Sequence, residues 1–212
     1  MYISKRGPRP DVLLPVNFLA TRVTKSNEDD LKKFLKVLKY LKGTDSLAMR
    51  LVVDKDKALY LYVDASYGVH DKGQSHTGSV LKYGQATIQV KSSKQKIVAK
   101  SSCEAELIGA TDEAGGMLHM DEFLFHQGYE EEPPGTLLQD NQAAMRLEEN
   151  GKGSSNRTKH ISIRTFWLKD QVKLGKLNIV YLNTKDMLAD MLTKPLQGEQ
   201  FYKFRKQLMN ER

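Results

Sequence analysis

The sequence predicts a mixed α/β protein built from one main domain and a shorter appendage. Three observations support this class: a period-two apolar pattern across residues 46–93, a long helical pattern after it, and a later alternation of short apolar strands with helical segments. Consecutive strands suit an antiparallel meander, whereas strands separated by helices require at least one parallel pairing. A chain of 212 residues is long enough to bury such a core.

Composition and cysteine content favour a reducing, intracellular compartment. Cys103 is the single cysteine and cannot form an internal disulfide, and the sequence holds no CxxC motif typical of zinc sites. The apolar run of residues 12–20 follows basic residues, as in a signal peptide, but Pro15 and Asn17 interrupt it. No run approaches the roughly 20 apolar residues of a membrane span. We therefore expect a cytoplasmic protein without a membrane partner.

A basic, amphipathic helix is predicted near the N-terminus. Residues 28–43 place apolar side chains at three- and four-residue spacing, with Asn27 as the N-cap and Gly43 at the end; the apolar positions are Leu31, Phe34, Leu35, Leu38 and Leu41. Residues 1–45 carry ten Lys or Arg against five Asp or Glu. The lysines of the helix lie mostly off the apolar stripe, which favours a solvated face over a nucleic-acid contact.

The remaining elements follow from changes of period along the chain. Strand patterns occupy residues 46–54, 57–66, 76–84 and 86–93, which predict about three antiparallel strands. After them the sequence predicts a long helix at 101–129, a strand at 135–141, helices at 142–150 and 154–176, a strand at 177–182 and a terminal helix. This order again favours a mixed sheet with helices around it.

The predicted long helix has clear ends and an unfavourable middle. Ser101 or Ser102 can cap its start, and Gly128 is a suitable stop. Gly115 and Gly116 each cost about 1 kcal/mol relative to Ala inside a helix. They therefore predict that another element approaches the helix closely at that point.

Acidic residues stand next to predicted strand ends and helix starts. These acids are Asp64 at the end of the first strong strand, Glu104 or Glu106 at the start of the long helix, Asp140 after the next strand, and Asp190 in an apolar segment. No basic residue stands beside Asp64 to neutralise it. Carboxylates are seldom buried unless they are paired or bind a metal, and Mg²⁺ takes oxygen ligands. Each acid alone is more often a cap or a surface residue, so spacing indicates only a candidate metal site.

Several motifs together resemble the ribonuclease H domain of copia-type retrotransposon polyproteins. In chain order they are VDASYG, SSKQKIVAKSSCEAELIGATDEA, LLQDNQAA, NRTKHISIR and YLNTKDMLADMLTKPL. The upstream segments RPDVLLPVNFLATRV and LKYLKGT resemble the end of the reverse transcriptase that precedes this domain in such elements. The resemblance covers about residues 8–196.

The resemblance implies a ribonuclease H-like fold, in which helices flank a five-stranded mixed sheet. It divides the chain into a reverse transcriptase tail at residues 1–45, which forms a helical extension, a ribonuclease H-like domain at 46–196 and a C-terminal helix at 197–212. The implied activity is hydrolysis of the RNA strand of RNA:DNA hybrids during reverse transcription. The implied partners are the hybrid and the reverse transcriptase portion of the polyprotein, in the cytoplasm or in virus-like particles.

The resemblance also assigns the acids. It implies that Asp64 bridges two Mg²⁺ ions, with Mn²⁺ as an alternative metal, that Glu106 and Asp140 bind mainly one ion, and that Asp190, in a C-terminal helix, binds the other. Glu106, which is followed by Leu107, fits the start of the family's E-L-x-A pattern better than Glu104, although helical spacing does not separate the two. Water would then attack phosphorus in line and leave a 3′-hydroxyl and a 5′-phosphate.

Substrate contacts are predicted near the acids, because proteins contact an RNA-containing duplex through its shallow minor groove. The predicted substrate-binding residues are Ser66, Asn141, Gln142, Arg157, Lys159 and His160, with Tyr67 and Arg164 as neighbours. His160 belongs to a family motif, which favours a role at or near the site. His76 is expected in a surface turn and Trp167 in the core.

Two other functions compete with an active nuclease. The first is an inactive or domesticated fragment that binds nucleic acid or a polymerase through the basic N-terminal helix. The second is an integrase-like or resolvase-like nuclease on the same fold, which the polymerase-like upstream segment disfavours. Cleavage of a hybrid in the presence of Mg²⁺ distinguishes the active enzyme from the binding module.

Overall fold

A five-stranded mixed sheet lies at the centre of the structure, a computed structural model that describes residues 9–52, 55–129, 134–142 and 159–211. The strands are β1 Leu59–Ser66, β2 His76–Tyr83, β3 Ala86–Lys94, β4 Gly135–Gln139 and β5 Leu177–Tyr181. Their order is β3-β2-β1-β4-β5. The first three strands are antiparallel, whereas β4 runs parallel to both β1 and β5. The predicted five-stranded mixed sheet is confirmed.

Helices cover both faces of the sheet. The α-helices are α1 Leu13–Thr21, α2 Glu28–Gly43, α3 Ser102–His126, α4 Lys159–Lys173 and α5 Gly198–Met209, and short 3-10 helices span Pro10–Val12, Val23–Lys25, Thr184–Asp186 and Leu188–Leu192. One core packs α3 and α4 on one face, where Leu61, Leu107 and Leu168 are buried together. A second core on the other face joins Val80 to Phe204 of α5.

Local capping signals are placed where the sequence predicts them. Asn27 accepts a hydrogen bond from the Asp30 amide at 2.9 Å, and the Asp30 carboxylate accepts one from the Asn27 amide at 3.2 Å. This reciprocal pair satisfies two donors that the first turn of α2 leaves free. Ser101 caps α3 through a bond from the Glu104 amide at 3.2 Å, and Gly128 follows the end of that helix with a φ of 89°.

Two sequence-based assignments need correction, and a third falls mostly outside the described residues. Residues 46–52 form no strand, so the regular period-two structure begins at β1. The segment that carries Asp190 is the 3-10 helix Leu188–Leu192 rather than an α-helix, since its Asp190 amide bonds to the Met187 carbonyl three residues back. The predicted helix at 142–150 lies outside the described residues except for Gln142, which is helical.

The close approach predicted at Gly115 and Gly116 is wrong, and a different glycine has that role. A Cβ at Gly115 would have no neighbour within 4 Å, and one at Gly116 would have only ordinary contacts. A Cβ at Gly109, nearly two turns earlier in α3, would lie 3.1 Å from Thr77 Cγ2 and 3.3 Å from Val63 Cγ1. Gly109 therefore lets α3 sit close to the central strands.

The N-terminal residues pack on the sheet domain instead of extending away from it. Leu13 is buried in the second core, together with Leu188 and Leu192 of the 3-10 helix. A polar anchor holds the segment beside this contact: the buried Arg9 guanidinium bonds to both Asp11 carboxylate oxygens at 3.0 and 2.8 Å. Leu13 therefore packs against the segment that carries Asp190 and stabilises its position.

The apolar stripe predicted on α2 faces solvent. The exposed fractions of its side chains are 56% for Leu31, 40% for Phe34, 54% for Leu35 and 44% for Leu38. The opposite side of α2 is held by Tyr40, whose hydroxyl donates to the Asp11 carboxylate at 2.7 Å. Among the described residues, no helix is long and apolar enough to cross a membrane.

Candidate metal centre

Three of the predicted acids meet at one edge of the sheet. Asp64, Glu106 and Asp140 each place one carboxylate oxygen so that all three atoms lie within 4.8 Å of one another. The parallel strands β1 and β4 bring Asp64 and Asp140 to the same edge, because the carboxyl ends of parallel strands point the same way. Asp64 lies two residues before the end of β1, opposite Gly78 of β2.

Tertiary structure separates the two glutamates that helical spacing could not. Glu106 joins Asp64 and Asp140, whereas Glu104 turns back toward the start of α3 and accepts a hydrogen bond from the Lys100 amide at 2.9 Å. Glu104 is therefore engaged in the cap of its own helix. Of the two glutamates, Glu106 is therefore the one that lies beside Asp64 and Asp140.

The Glu106 carboxylate fits a cation ligand. It is 5% exposed, and its Oε2 atom has no hydrogen-bond partner among the described residues. Burial, followed by the negative charges of Asp64 and Asp140, raises the pKa of Glu106 to about 9. A buried oxygen without a donor is costly unless a cation or proton compensates it. The donor set, three carboxylates without a sulfur or nitrogen ligand, matches a hard divalent cation such as Mg²⁺.

Asp190 lies beside this cluster and is held by a lysine that the sequence-based prediction missed. The Lys194 ammonium donates to Asp190 Oδ1 at 2.7 Å and to Asp64 Oδ1 at 3.2 Å, while the Thr193 hydroxyl donates to Asp64 Oδ2. Burial and the charge of Asp64 raise the pKa of Asp190 to about 6, although the Lys194 hydrogen bond opposes this shift. A cationic group of the chain itself therefore joins the first and last acids.

Burial and charge act in opposite directions on Lys194. Burial lowers the pKa of its ammonium, but the charges of Asp64 and Asp190 together outweigh burial and raise the pKa above its ordinary value. The neutralising charge that the sequence does not place beside Asp64 thus comes from a residue 130 positions later. The only local signal was the four-residue spacing between Asp190 and Lys194, which is common in ordinary ion pairs.

A glycine makes room for the Asp190 segment on the sheet. A Cβ added to Gly78 would lie 2.7 Å from Leu192 Cβ, 2.9 Å from the Ala189 carbonyl oxygen and 2.9 Å from Thr193 Cγ2. Since Gly78 pairs with Asp64 across β2 and β1, the missing side chain lets the 3-10 helix come close to Asp64.

Asp140 is oriented by its neighbours on β4 and by the loop before Asp190. Its carboxylate accepts a hydrogen bond from the Thr184 hydroxyl at 3.0 Å. Its amide donates to the side chain of Gln139 at 3.0 Å, and Gln139 is fully buried. The carboxylate is therefore fixed at the rim of the cluster rather than free to rotate.

Asp64, Glu106 and Asp140 line an open cleft of about 590 Å³. Predicted substrate residues at its rim are Ser66, Asn141 and Gln142, together with Tyr67, which is 48% exposed. Ser66 also donates to the Thr193 carbonyl at 3.3 Å, so its hydroxyl is tied to the segment that follows Asp190.

Most of the basic side chains predicted to bind substrate lie outside the described part of the structure. Arg157 lies outside the described residues, and Lys159 and His160 begin α4 with side chains that also lie outside the described part. Arg164 pairs with Asp112 of α3. Trp167 is partly buried against the first core, as predicted.

His76 is buried, so its predicted place in a surface turn is wrong. It is the first residue of β2 and is only 7% exposed. Its ring lies between the His70 ring and the Ser92 hydroxyl. His76 Nδ1 is 3.0 Å from His70 Nε2, and His76 Nε2 is 2.8 Å from Ser92 Oγ. The polar sequence before it, DKGQS, suggested a turn, but that segment ends at Ser75 and β2 begins with His76 itself.

The fold and the acidic cleft define a ribonuclease H-like domain. No protein-family model matches the sequence. The chain is 34% identical over 197 residues, 92% of its length, to the retrovirus-related Pol polyprotein from transposon RE1 of Arabidopsis thaliana. It is 31% identical over 196 residues, 91% of its length, to that from transposon TNT 1-94 of Nicotiana tabacum. The chain is a homologue of Pol polyproteins from copia-type transposons, which confirms the resemblance predicted from the motifs.

The chain matches a small part of these relatives and nearly all of a smaller structure. It spans 13% of the RE1 polyprotein and 14% of the TNT 1-94 polyprotein. A solved ribonuclease H1 isolated from compost is 17% identical with a TM-score of 0.47, and the match covers 64% of this chain and 92% of that one.

Replacing Gly78 with Ala is expected to lower the free energy of unfolding by about 1–3 kcal/mol and to weaken Mg²⁺ binding. The new methyl group would meet Leu192 and push the Asp190 segment away from Asp64. Chemical denaturation and calorimetric titration with Mg²⁺ measure the two effects. Gly115→Ala is the matched control, because its methyl group meets nothing within 4 Å. Unchanged Mg²⁺ affinity in Gly78→Ala would contradict this role.

Replacing Lys194 with Met is expected to strengthen Mg²⁺ binding by about tenfold, because the cation would no longer compete with an ammonium for Asp64 and Asp190. Calorimetric titration without nucleic acid measures the affinity. Lys203→Met is the control, since that ammonium pairs with Asp186 at 2.7 Å and does not touch the cluster. Equal or weaker binding in Lys194→Met would show that the ammonium does not oppose the cation.

Proposed function

We propose that the chain is the ribonuclease H domain of a transposon Pol polyprotein and that it hydrolyses the RNA strand of RNA:DNA hybrids inside the cell. One observation carries this proposal: Asp64, Glu106 and Asp140 converge within 4.8 Å in an open cleft, and a buried Glu106 oxygen lacks a partner among the described residues. The homology to Pol polyproteins supports it.

The acids would hold the catalytic cations. We propose that Asp64, Glu106 and Asp140 bind Mg²⁺ directly and that Asp190 completes a second position once Lys194 releases it. Bound cations of this kind supply an activated water and stabilise the leaving oxygen of a phosphodiester. Three acids already lie within reach of one ion, so the metal meets a largely preformed site.

Residues of the cleft would place the hybrid. Ser66, Asn141 and Gln142 line the rim beside the acids and offer hydroxyl and amide groups that can bond to 2′-hydroxyls and phosphates. Tyr67 adds an exposed ring at the same rim. Arg157, Lys159 and His160 remain substrate contacts predicted from the sequence.

Replacing Asp64 with Asn is expected to abolish Mg²⁺-dependent cleavage of a labelled RNA:DNA hybrid, because the amide keeps the shape of the side chain but not its charge. The circular dichroism spectrum should stay unchanged. Asp170→Asn, in the exposed face of α4, is the matched control and should cleave like the unmodified protein. Retained cleavage in Asp64→Asn would overturn the assignment, and a wild-type chain that binds the hybrid without cleaving it would favour the binding module.

We further propose that the reverse transcriptase portion of the polyprotein covers the exposed stripe of α2. This stripe of Leu31, Phe34, Leu35 and Leu38 is apolar and solvent-exposed, which is unusual for a helix with a strong amphipathic pattern. The Pol polyprotein relatives are roughly seven to eight times as long as the matched region, so they contain much more protein that could bury it. The lysines on the adjacent face are exposed and remain solvated.

The double variant Leu35→Glu/Leu38→Glu is expected to weaken binding to the separately purified reverse transcriptase portion of the same polyprotein by at least about tenfold, because it places charges in an apolar contact. Sedimentation or calorimetry measures this affinity. Lys36→Glu changes a neighbouring exposed position and should bind normally. Equal binding by both variants, or self-association of the chain through this stripe, would contradict the proposed partner.

A further inference from the structure

A chain of hydrogen bonds runs from the loop after β1 to the segment that carries Asp190. His70 Nε2 lies 3.0 Å from His76 Nδ1, His76 Nε2 lies 2.8 Å from Ser92 Oγ, and Ser92 Oγ lies 2.8 Å from the Leu192 carbonyl oxygen. The inner members are buried, with His76 7% and Ser92 6% exposed. Two histidines and a serine therefore connect three elements through groups that lie largely out of water.

The chemistry of the last acceptor fixes the direction of the whole chain. A carbonyl oxygen can only accept, so the single hydroxyl proton of Ser92 points to Leu192. Ser92 Oγ must then accept from His76, which places a proton on His76 Nε2 and leaves a lone pair on Nδ1. That lone pair accepts from His70 Nε2. Only one orientation of these hydrogen bonds gives every proton an acceptor. That orientation requires the tautomer of His76 that carries its proton on Nε2.

The protonation state of His76 supports the same order. Burial, followed by the neighbouring His70, lowers the pKa of His76 to about 4. The ring is therefore neutral at physiological pH and keeps the lone pair that the bond from His70 needs. A second proton on the ring would remove that acceptor.

The chain ends on a peptide group that orients the contacts of Asp64. The Leu192 carbonyl belongs to the peptide whose amide is that of Thr193, and this amide donates to the Asp190 carbonyl at 3.2 Å. Thr193 and Lys194 follow directly, and their side chains both donate to the Asp64 carboxylate. A rotation of this one peptide would move both donors away from Asp64.

We propose that His76 is a positioning residue, which acts through Ser92 to fix the peptide between Leu192 and Thr193 and so holds Asp190, Thr193 and Lys194 in register with Asp64. His70 closes the chain at the loop that carries Tyr67 and Val69, two residues of the cleft wall. The acidic cluster and the adjacent wall are thus linked by one directional network. This inference rests on the proposed cation site but concerns residues that touch neither cation nor substrate.

The cation-free protein tests the network independently of any activity. In nitrogen-detected NMR spectra, His76 is expected as the neutral tautomer with the proton on Nε2 at pH 7. In Ser92→Ala and His76→Leu, the amide signals of Thr193 and Lys194 should shift together. In His76→Gln they should stay close to those of the unmodified protein, since the glutamine amide can still donate to Ser92. The other tautomer, or unshifted amides in Ser92→Ala, would overturn the proposal even if the chain binds no cation.

Mg²⁺ affinity then measures the consequence for the site. In the Lys194→Met background, where no ammonium competes with the cation, His76→Leu and Ser92→Ala are each expected to weaken Mg²⁺ binding by about tenfold, because Asp190 loses its position beside Asp64; losses of this size follow the removal of outer partners of metal ligands. The double variant should be no weaker than either single one, because both break the same chain. His76→Gln should recover most of the affinity. Full affinity in folded Ser92→Ala, or additive losses in the double variant, would overturn the proposal; absence of Mg²⁺ binding by the unmodified protein would instead contradict the proposed function.

Discussion

The burial of a negative charge on the central strand constrains the rest of this structure. Asp64 is 2% exposed and lies within a strand that is paired on both sides, so water cannot stabilise its charge. A buried carboxylate is tolerated only with several donors or a cation close by. Thr193 and Lys194 donate hydrogen bonds to Asp64, whereas the neighbouring Glu106 Oε2 atom is buried without a donor among the described residues.

The packing around Asp64 follows from this constraint. Lys194 and Thr193 reach the carboxylate only because the 3-10 helix before them lies directly on β2, and Gly78 leaves the space for it. The other side of that helix is covered by Leu13 and Phe204, which come from the two ends of the chain. The position of Asp190 beside the cleft thus depends on apolar contacts on the opposite side of the 3-10 helix. Polar positioning and core packing are here parts of one arrangement.

Sequence patterns predicted what depends on neighbouring residues and failed where a distant residue decides. The Asn27 cap, the end of α3 near Gly128 and the strand pattern of β1 need only a few adjacent positions, and all three are found. The pairing of Asp64 with Lys194 joins residues 130 positions apart, so no local pattern could indicate it. The prediction for Gly115 and Gly116 used only the free-energy cost of glycine inside a helix. That cost is the same for every glycine of the helix, so it does not indicate which one a neighbouring element requires. The burial of His76 likewise depends on β3 and the Asp190 segment, which its own flanking residues do not reveal.

Leu13 has a consequence for how such a domain can be inherited. The predicted division at residue 45 separates two kinds of sequence, yet Leu13 completes the same core as Leu188 and Leu192. A recombination event between transposons with a breakpoint near that division would combine a sheet domain from one lineage with an N-terminal segment from another. The two parts would then have to match in shape at Leu13 for the acid of the distant segment to stay in place. Exchange of this sheet domain between elements is therefore expected to succeed most often when the breakpoint lies upstream of residue 9.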